Sequence, residues 1–166
     1  MMPNYDYSKD LTSDNKNGLV YVIDDDADVR ESIKWLLEST NYRVEDYESG
    51  ETFIAQFNES VPSVILCDLR MPGMDGFEVL RSVKKSNPQV QVIILTGHGG
   101  DAEEQTAYRM GAYTFLKKPM DIDELLNSIR MAYRDKVENA MVAVSLAEGG
   151  DFDSAQDVLN EKDLLA

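Results

Sequence analysis

The chain has 166 residues, 43% of them apolar, a single cysteine and a formal charge of −15. That length buries one core of ordinary size with some chain to spare, and the lone Cys67 excludes an internal disulfide and fits a reducing cytosol. No apolar run approaches the length of a membrane span or a secretory signal, so a cytoplasmic protein without a membrane partner is expected. The acidic surplus argues against direct nucleic-acid binding, which draws on clustered Lys and Arg. It favours a divalent cation wherever carboxylates converge; most of the other acids serve as a solvated face.

Residues 1–17 are expected as a flexible arm. From there short apolar runs alternate with amphipathic ones. Strands are expected at Leu19 to Ile23, Tyr42 to Tyr47, Ser63 to Cys67, Val90 to Leu95 and Tyr113 to Leu116. The intervening helices are Ala27 to Ser39, Gly50 to Phe57, Gly76 to Lys85 and Asp101 to Met110, followed by a long one from Asp121. The runs LVYVI, SVILC and VQVIIL show little polar alternation, as strands buried on both faces of a parallel sheet do. Pro62, Pro88 and Gly111 punctuate element ends. Five such β/α units predict an α/β fold, a doubly wound five-stranded parallel sheet with helices on both faces.

The last helix is expected to outrun the domain. Leu126, Ile129, Tyr133, Val137, Ala140 and Val144 recur at spacings of three and four, which carries it to about Glu148, with Gly149-Gly150 as a stop. Asp153 and Gln156 then have capping-box-like spacing for a short second helix. From Lys136 onward there are seven acids and two bases, too little positive charge for a DNA-reading module. The expected division is an arm over 1–17, a domain over 18–134 and an acidic helical extension over 135–166. The extension could pack on the domain, form a coiled-coil-like seam with a second copy, or lead into a longer output region.

In a doubly wound sheet, ligands bind outside the carboxyl ends of the strands. The residues at those positions are Asp24-Asp25-Asp26, Asp68, Thr96 and Lys117-Lys118-Pro119. Taken singly, Asp26 reads as well as a helix cap, Thr96 as a turn former and Lys118 as a surface lysine. An acid ending the buried run SVILC is harder to dismiss, because burying it is costly unless it is used. Together the residues have a joint chemistry. Asp24, Asp25 and Asp68 offer hard oxygens suited to Mg²⁺, Lys118 and Thr96 can meet phosphoryl oxygens, and a carboxylate can be a phosphoryl acceptor.

The segments VIDDDADVR, VILCDLRMPGMDGFEVL, VIILTGHGG and GAYTFLKKP, in this order and spacing, resemble the receiver domain of bacterial two-component response regulators. CDLRMPGMDG is similar to versions attached to helix-turn-helix outputs. The resemblance covers about residues 18 to 134 and implies the flavodoxin-like receiver fold. It implies that Asp68 is the phospho-acceptor for a sensor histidine kinase or phosphotransfer protein. It further implies that Asp25, Asp68 and the main-chain carbonyl of Arg70 bind Mg²⁺, which Mn²⁺ can replace, with Asp24 acting chiefly through water. Lys118 would contact the phosphoryl group and Asp68, Thr96 and Phe115 would be the switch residues, and Pro119 would follow a cis bond. Arg70 and His98 would tune dephosphorylation, and a homodimer through the last two helices and adjoining strand is possible.

Three function classes follow. The leading one is a phosphorylation-activated signalling switch, not an enzyme on external substrates. The second is the receiver fragment of a DNA-binding transcriptional regulator. The third is an aspartate-nucleophile phosphatase, weakened because those enzymes generally need an acid two residues after the nucleophile, where this chain has Arg70.

Overall fold

The computed structural model describes residues 17–148. Ten elements alternate along them: β1 (Leu19–Ile23), α1 (Ala27–Ser39), β2 (Arg43–Tyr47), α2 (Gly50–Gln56), β3 (Ser63–Asp68), α3 (Gly76–Ser86), β4 (Gln91–Thr96), α4 (Asp101–Arg109), β5 (Thr114–Lys117) and α5 (Ile122–Glu148). The strands form one sheet in the order β2-β1-β3-β4-β5, every pairing parallel. This is the doubly wound parallel sheet expected from the alternation, and its strand order is that of the flavodoxin-like fold the resemblance implies. The expected arm and second tail helix lie outside the described residues, and the expected boundary at residue 134 falls inside α5 without a break.

Alternation along the strands divides the core in two, because successive side chains point to opposite faces. Leu19, Tyr21, Ile23, Ile65, Cys67, Val92 and Ile94 meet Phe53 of α2, Val79, Leu80 and Val83 of α3, and Ala107 of α4. On the other face Val20, Val22, Val64, Leu66, Ile93 and Leu95 meet Ile33 and Leu37 of α1 and Leu125, Ile129 and Ala132 of α5. Burial of each large side chain stabilises the fold by about 1.5–3 kcal/mol relative to exposure. Both faces of the central strands are therefore closed to water, which is why their sequences show no polar alternation.

Helix starts are set by side chains. Asp26 accepts from the backbone N–H of Asp28 at 3.0 Å and of Val29 at 3.3 Å, so the third aspartate of the acidic triplet is a cap. Asp75 and Glu78 complete a reciprocal capping box on α3. Asp121 caps α5, which therefore begins one residue later than expected. Strand boundaries shift too: β2, β4 and β5 start one residue later than expected, and β3, β4 and β5 run through Asp68, Thr96 and Lys117, one residue beyond the expected ends. The register pairs Asp68 with Leu95 and Thr96 with Lys117, so these polar residues sit on the last rungs of the ladder rather than in loops.

α5 is the longest element, 27 residues or about 40 Å at 1.5 Å per residue. Leu125, Ile129 and Ala132 hold it to the sheet, and the Tyr133 hydroxyl donates to the Leu19 carbonyl. Further along, Val137 and Met141 are exposed.

Edge strand β2 is tied to α1 by charge. Asp46 accepts from Arg30 Nε at 3.0 Å and from Lys34 Nζ at 2.9 Å. Burial alone would raise its pKa, but the two cations outweigh that and hold it below the ordinary carboxylate value. A lowered folded-state pKa gives stability that is present at neutral pH and lost as the pH falls through that value. Asp46→Asn is expected to lower stability at pH 7 by about 0.5–1 kcal/mol, given partial exposure of both partners. The two proteins should begin to converge below the unfolded-state pKa of about 4 and coincide once the pH is below the lowered folded-state value, and urea melts across pH test this.

Candidate functional site at the carboxyl edge of the sheet

The ends of β1, β3, β4 and β5 bring Asp24, Asp68, Thr96 and Lys118 to one rim. Asp24 and Thr96 are each 1% exposed and Asp68 8%, an unusual depth for polar side chains. The Lys118 ammonium lies between two carboxylates, 2.7 Å from Asp24 Oδ2 and 3.4 Å from Asp68 Oδ1. It is thus closer to Asp24 than to the expected partner Asp68. Burial disfavours its charge, but the hydrogen bond to Asp24 and the pull of both carboxylates raise its pKa above the ordinary lysine value. The cis Lys118–Pro119 bond stands where the chain leaves β5, as expected.

Asp24 is fully engaged by the protein. Its Oδ1 accepts from the Asp26 N–H at 2.9 Å while Oδ2 takes Lys118, and its main-chain carbonyl accepts from Arg30 Nη1 at 2.7 Å. Asp25, one residue on, is exposed. Asp24, Asp25 and Asp68 each offer a carboxylate oxygen, all within 4.8 Å of one another, and this hard-oxygen set fits a divalent cation of the Mg²⁺ type. Lys118 supplies one positive charge against three negative ones, so the cluster retains a net demand for a cation.

Burial raises the Asp68 pKa above the ordinary carboxylate value; Lys118 opposes the shift, and Asp24 and Asp25 add to it. A carboxylate made more basic in this way is a better nucleophile, and a cation beside it would favour its charged form. Asp68 is also set by backbone geometry. The Leu69 N–H donates to the Leu95 carbonyl at 2.8 Å, and the Gly76 N–H donates to the Leu69 carbonyl at 2.8 Å. A Cβ on Gly76 would stand 2.7 Å from the Asp68 carbonyl oxygen, so only glycine lets α3 start this close to the end of β3.

Thr96 and Phe115 both approach Gly99 of the β4–α4 loop. The Phe115 ring is turned inward, 6% exposed, and a Cβ on Gly99 would lie 2.7 Å from it and 2.6 Å from the Thr96 methyl. Thr96 Oγ1 accepts from the His98 N–H at 3.3 Å, its carbonyl accepts from the Lys118 N–H at 2.7 Å, and the His98 side chain is exposed. Arg70 is exposed at the site mouth and pairs with Glu103 of α4 at 2.5 Å, beside a cavity of about 440 Å³ that Met71, Pro72 and Phe77 also line. Arg30 and Glu103 were not singled out from the sequence. Each is a charged residue on an amphipathic helix, and only its partner distinguishes it from a solvated side chain.

Comparison with known proteins follows the same lines. A family model described as response regulator receiver domain matches residues 20–130. The DNA-binding transcriptional regulator NtrC of Salmonella typhimurium is 36% identical over 117 residues, covering 70% of this chain and 25% of that protein. The transcriptional regulatory protein FixJ of Bradyrhizobium diazoefficiens is also 36% identical over 117 residues, covering 70% of this chain and 57% of its own length. The chain thus spans about a quarter of NtrC and little over half of FixJ. Among solved structures, a response regulator receiver domain protein from Clostridium thermocellum aligns with TM-score 0.65 at 34% identity, covering 72% of this chain and 98% of that one. Full-length FixJ from B. japonicum aligns with TM-score 0.66 at 33% identity, covering 80% and 67%. With the fold, the family match and these relatives in agreement, the chain belongs to the response regulator receiver domains of two-component systems.

Proposed function

We propose that this chain is a phosphorylation-driven signalling switch in which Asp68 accepts a phosphoryl group from the phosphohistidine of a sensor histidine kinase or phosphotransfer protein. The observation that carries the reading is the Lys118 ammonium lodged between Asp24 and the more basic Asp68, with Thr96 on the next strand end. An Asp68 carboxylate oxygen forms a bond to phosphorus as the P–N bond of the donor breaks, and the imidazole takes the bonding pair and leaves neutral, keeping the proton already on its other nitrogen. The acceptor role of the carboxylate needs mainly alignment and charge neutralisation. Mg²⁺ or Mn²⁺, bound by Asp25, Asp68 and the Arg70 carbonyl, would neutralise the transferring oxygens. Asp24, with both oxygens already bonded, would act on the ion chiefly through water.

The new negative charge gives Thr96 and Lys118 a partner that Asp68 alone does not offer. Thr96 then turns its hydroxyl toward the phosphoryl group, and Phe115 fills the space the methyl leaves. The β4–α4 loop, α4, β5 and α5 form the responsive face, offered to a partner or to a second copy of the domain. Arg70 and His98, exposed at the mouth, govern the access of hydrolytic water, so the only turnover is self-directed. Arg70 in place of the second acid of aspartate-nucleophile phosphatases disfavours the enzyme reading. The chain works in the cytoplasm in this reading; no described helix is long and apolar enough to cross a membrane. A second reading, the receiver part of a DNA-binding regulator, is supported by the names of the NtrC and FixJ relatives. In that case DNA contacts belong to a region outside this acidic chain.

The donor has an evident approach. An apolar groove between α1 and the start of α5 is lined by Val29, Ile33, Leu36, Pro119, Met120 and Ile122, and it reaches Lys118 itself. Trp35 and Ile122 are 73% and 57% exposed there. A donor helix seated in this groove would bring its histidine to Asp68.

Three outcomes test the reading. With Mg²⁺ and a small acyl-phosphate donor the protein should gain an acid-stable, base-labile phosphoryl adduct, and Asp68→Asn should not; an equal adduct on the variant overturns the assignment. Mg²⁺ should raise the melting temperature by relieving carboxylate repulsion, and Asp25→Asn should remove most of that gain. Ile122→Asp should slow transfer from a kinase at least tenfold while leaving labelling by the small donor unchanged. Equal loss with both donors would place Ile122 in the site's stability instead.

A further inference from the structure

We propose that Arg30 is a positioning residue of the divalent-cation site, holding the backbone on the amino side of Asp25 so that this exposed acid meets the ion in a set orientation. The inference rests on the reading of Asp24, Asp25 and Asp68 as a cation site, and it names a residue outside that set. Arg30 lies one turn into α1, its side chain 17% exposed, and its guanidinium joins two other parts of the fold. Nε donates to Asp46 Oδ2 of β2 at 3.0 Å, and Nη1 donates to the Asp24 main-chain carbonyl at 2.7 Å. A bond from a charged donor is stronger than one between neutral groups. The other Asp46 oxygen accepts from Lys34, which leaves Oδ2 to Arg30.

The gripped carbonyl belongs to the peptide unit that joins Asp24 to Asp25. That unit is planar, so the direction of its carbonyl also sets the nitrogen and Cα of Asp25. The next unit, from Asp25 to Asp26, is held on its far side, where the Asp26 N–H donates to Asp24 Oδ1 at 2.9 Å. With a hydrogen bond on each flanking plane, both backbone dihedrals of Asp25 are restrained, and its side-chain torsions are what remains to adjust. The Asp24 N–H, which donates to the Tyr47 carbonyl at 3.2 Å, anchors the start of the triplet. An acid on a loose turn would have to be ordered when the ion arrives, and that cost lowers affinity. By charge alone, in contrast, Arg30 opposes a cation at the rim. Positioning and charge therefore predict opposite signs for its removal.

The test titrates Mg²⁺ into the full chain and follows backbone amide signals by NMR, for the wild type and for Arg30→Met, Arg30→Lys and Asp46→Asn. Arg30→Met should weaken Mg²⁺ binding by about tenfold, the scale on which residues behind a metal ligand act. Arg30→Lys keeps the charge and a partner for Asp46 but lacks the second arm for the carbonyl. It should weaken binding by a similar factor, and it carries the test if the Met variant does not fold. Asp46→Asn retains an acceptor for Arg30 and should stay within about twofold of the wild type despite its lower stability. In an Asp25→Asn background Arg30→Lys should have little further effect, because the ligand that Arg30 sets is then gone. Binding by the Arg30 variants as tight as the wild type, or tighter, overturns the proposal, and so does an equal loss in Asp46→Asn or an Arg30 effect undiminished in the Asp25→Asn background. A wild type that binds no Mg²⁺ overturns the reading of the rim as a cation site, and this inference with it.

Discussion

The contact on which the rim depends is the Lys118 ammonium, 2.7 Å from Asp24 and 3.4 Å from Asp68. It joins β5 to the first and third strands across the mouth of a parallel sheet and keeps two nearly buried carboxylates tolerable. One cation cannot balance three acids, however, and Asp24, Asp25 and Asp68 together still favour a second. The arrangement is therefore stable enough to fold and unbalanced enough to bind, which an ion pair of equal members would not be.

The sheet supplies the rigidity that such a site needs. Asp68 and Thr96 are last rungs of the ladder, and pairing with Leu95 and Lys117 respectively fixes their backbones. Gly76 brings the start of α3 against Asp68, and Gly99 leaves room for Phe115 and the Thr96 methyl beside it. The soft part is the loop from Gly97 to Gly100, whose two outer glycines have nothing within 4 Å of where a Cβ would stand. In the proposed switch, a site held by strands next to a loop with open space changes state at the loop while Asp68 stays in place. The proposed responsive face would follow from topology, because Thr96 precedes α4, and Phe115 lies in β5 between α4 and α5.

α5 couples two different environments in one element. Its first half belongs to the core through Leu125, Ile129 and Ala132, and Tyr133 anchors it to the start of β1. Beyond Lys136 the same helical periodicity continues with no sheet beneath it. A helix of a dozen residues is marginal alone in water, so the projecting part calls for a partner surface. Exposed Val137 and Met141 say that this surface is in part apolar.

Much of this was legible in the sequence. Continuous apolar runs at LVYVI, SVILC and VQVIIL meant strands buried on both faces, and from there the strand ends named Asp24, Asp25, Asp68, Thr96 and Lys118 as neighbours. Local chemistry also read correctly at Asp26, a cap because its side chain reaches only its own helix. The tertiary structure decided what depends on distance between elements. Lys118 is nearer Asp24 than Asp68, Arg70 is taken by Glu103, and Arg30 supports the Asp24 carbonyl. It also decided that Asp24, Asp68 and Thr96 are buried polar groups rather than solvated ones, since burial is set by what other segments cover. Periodicity reports which way a side chain points along its own element; only packing reports what it meets there.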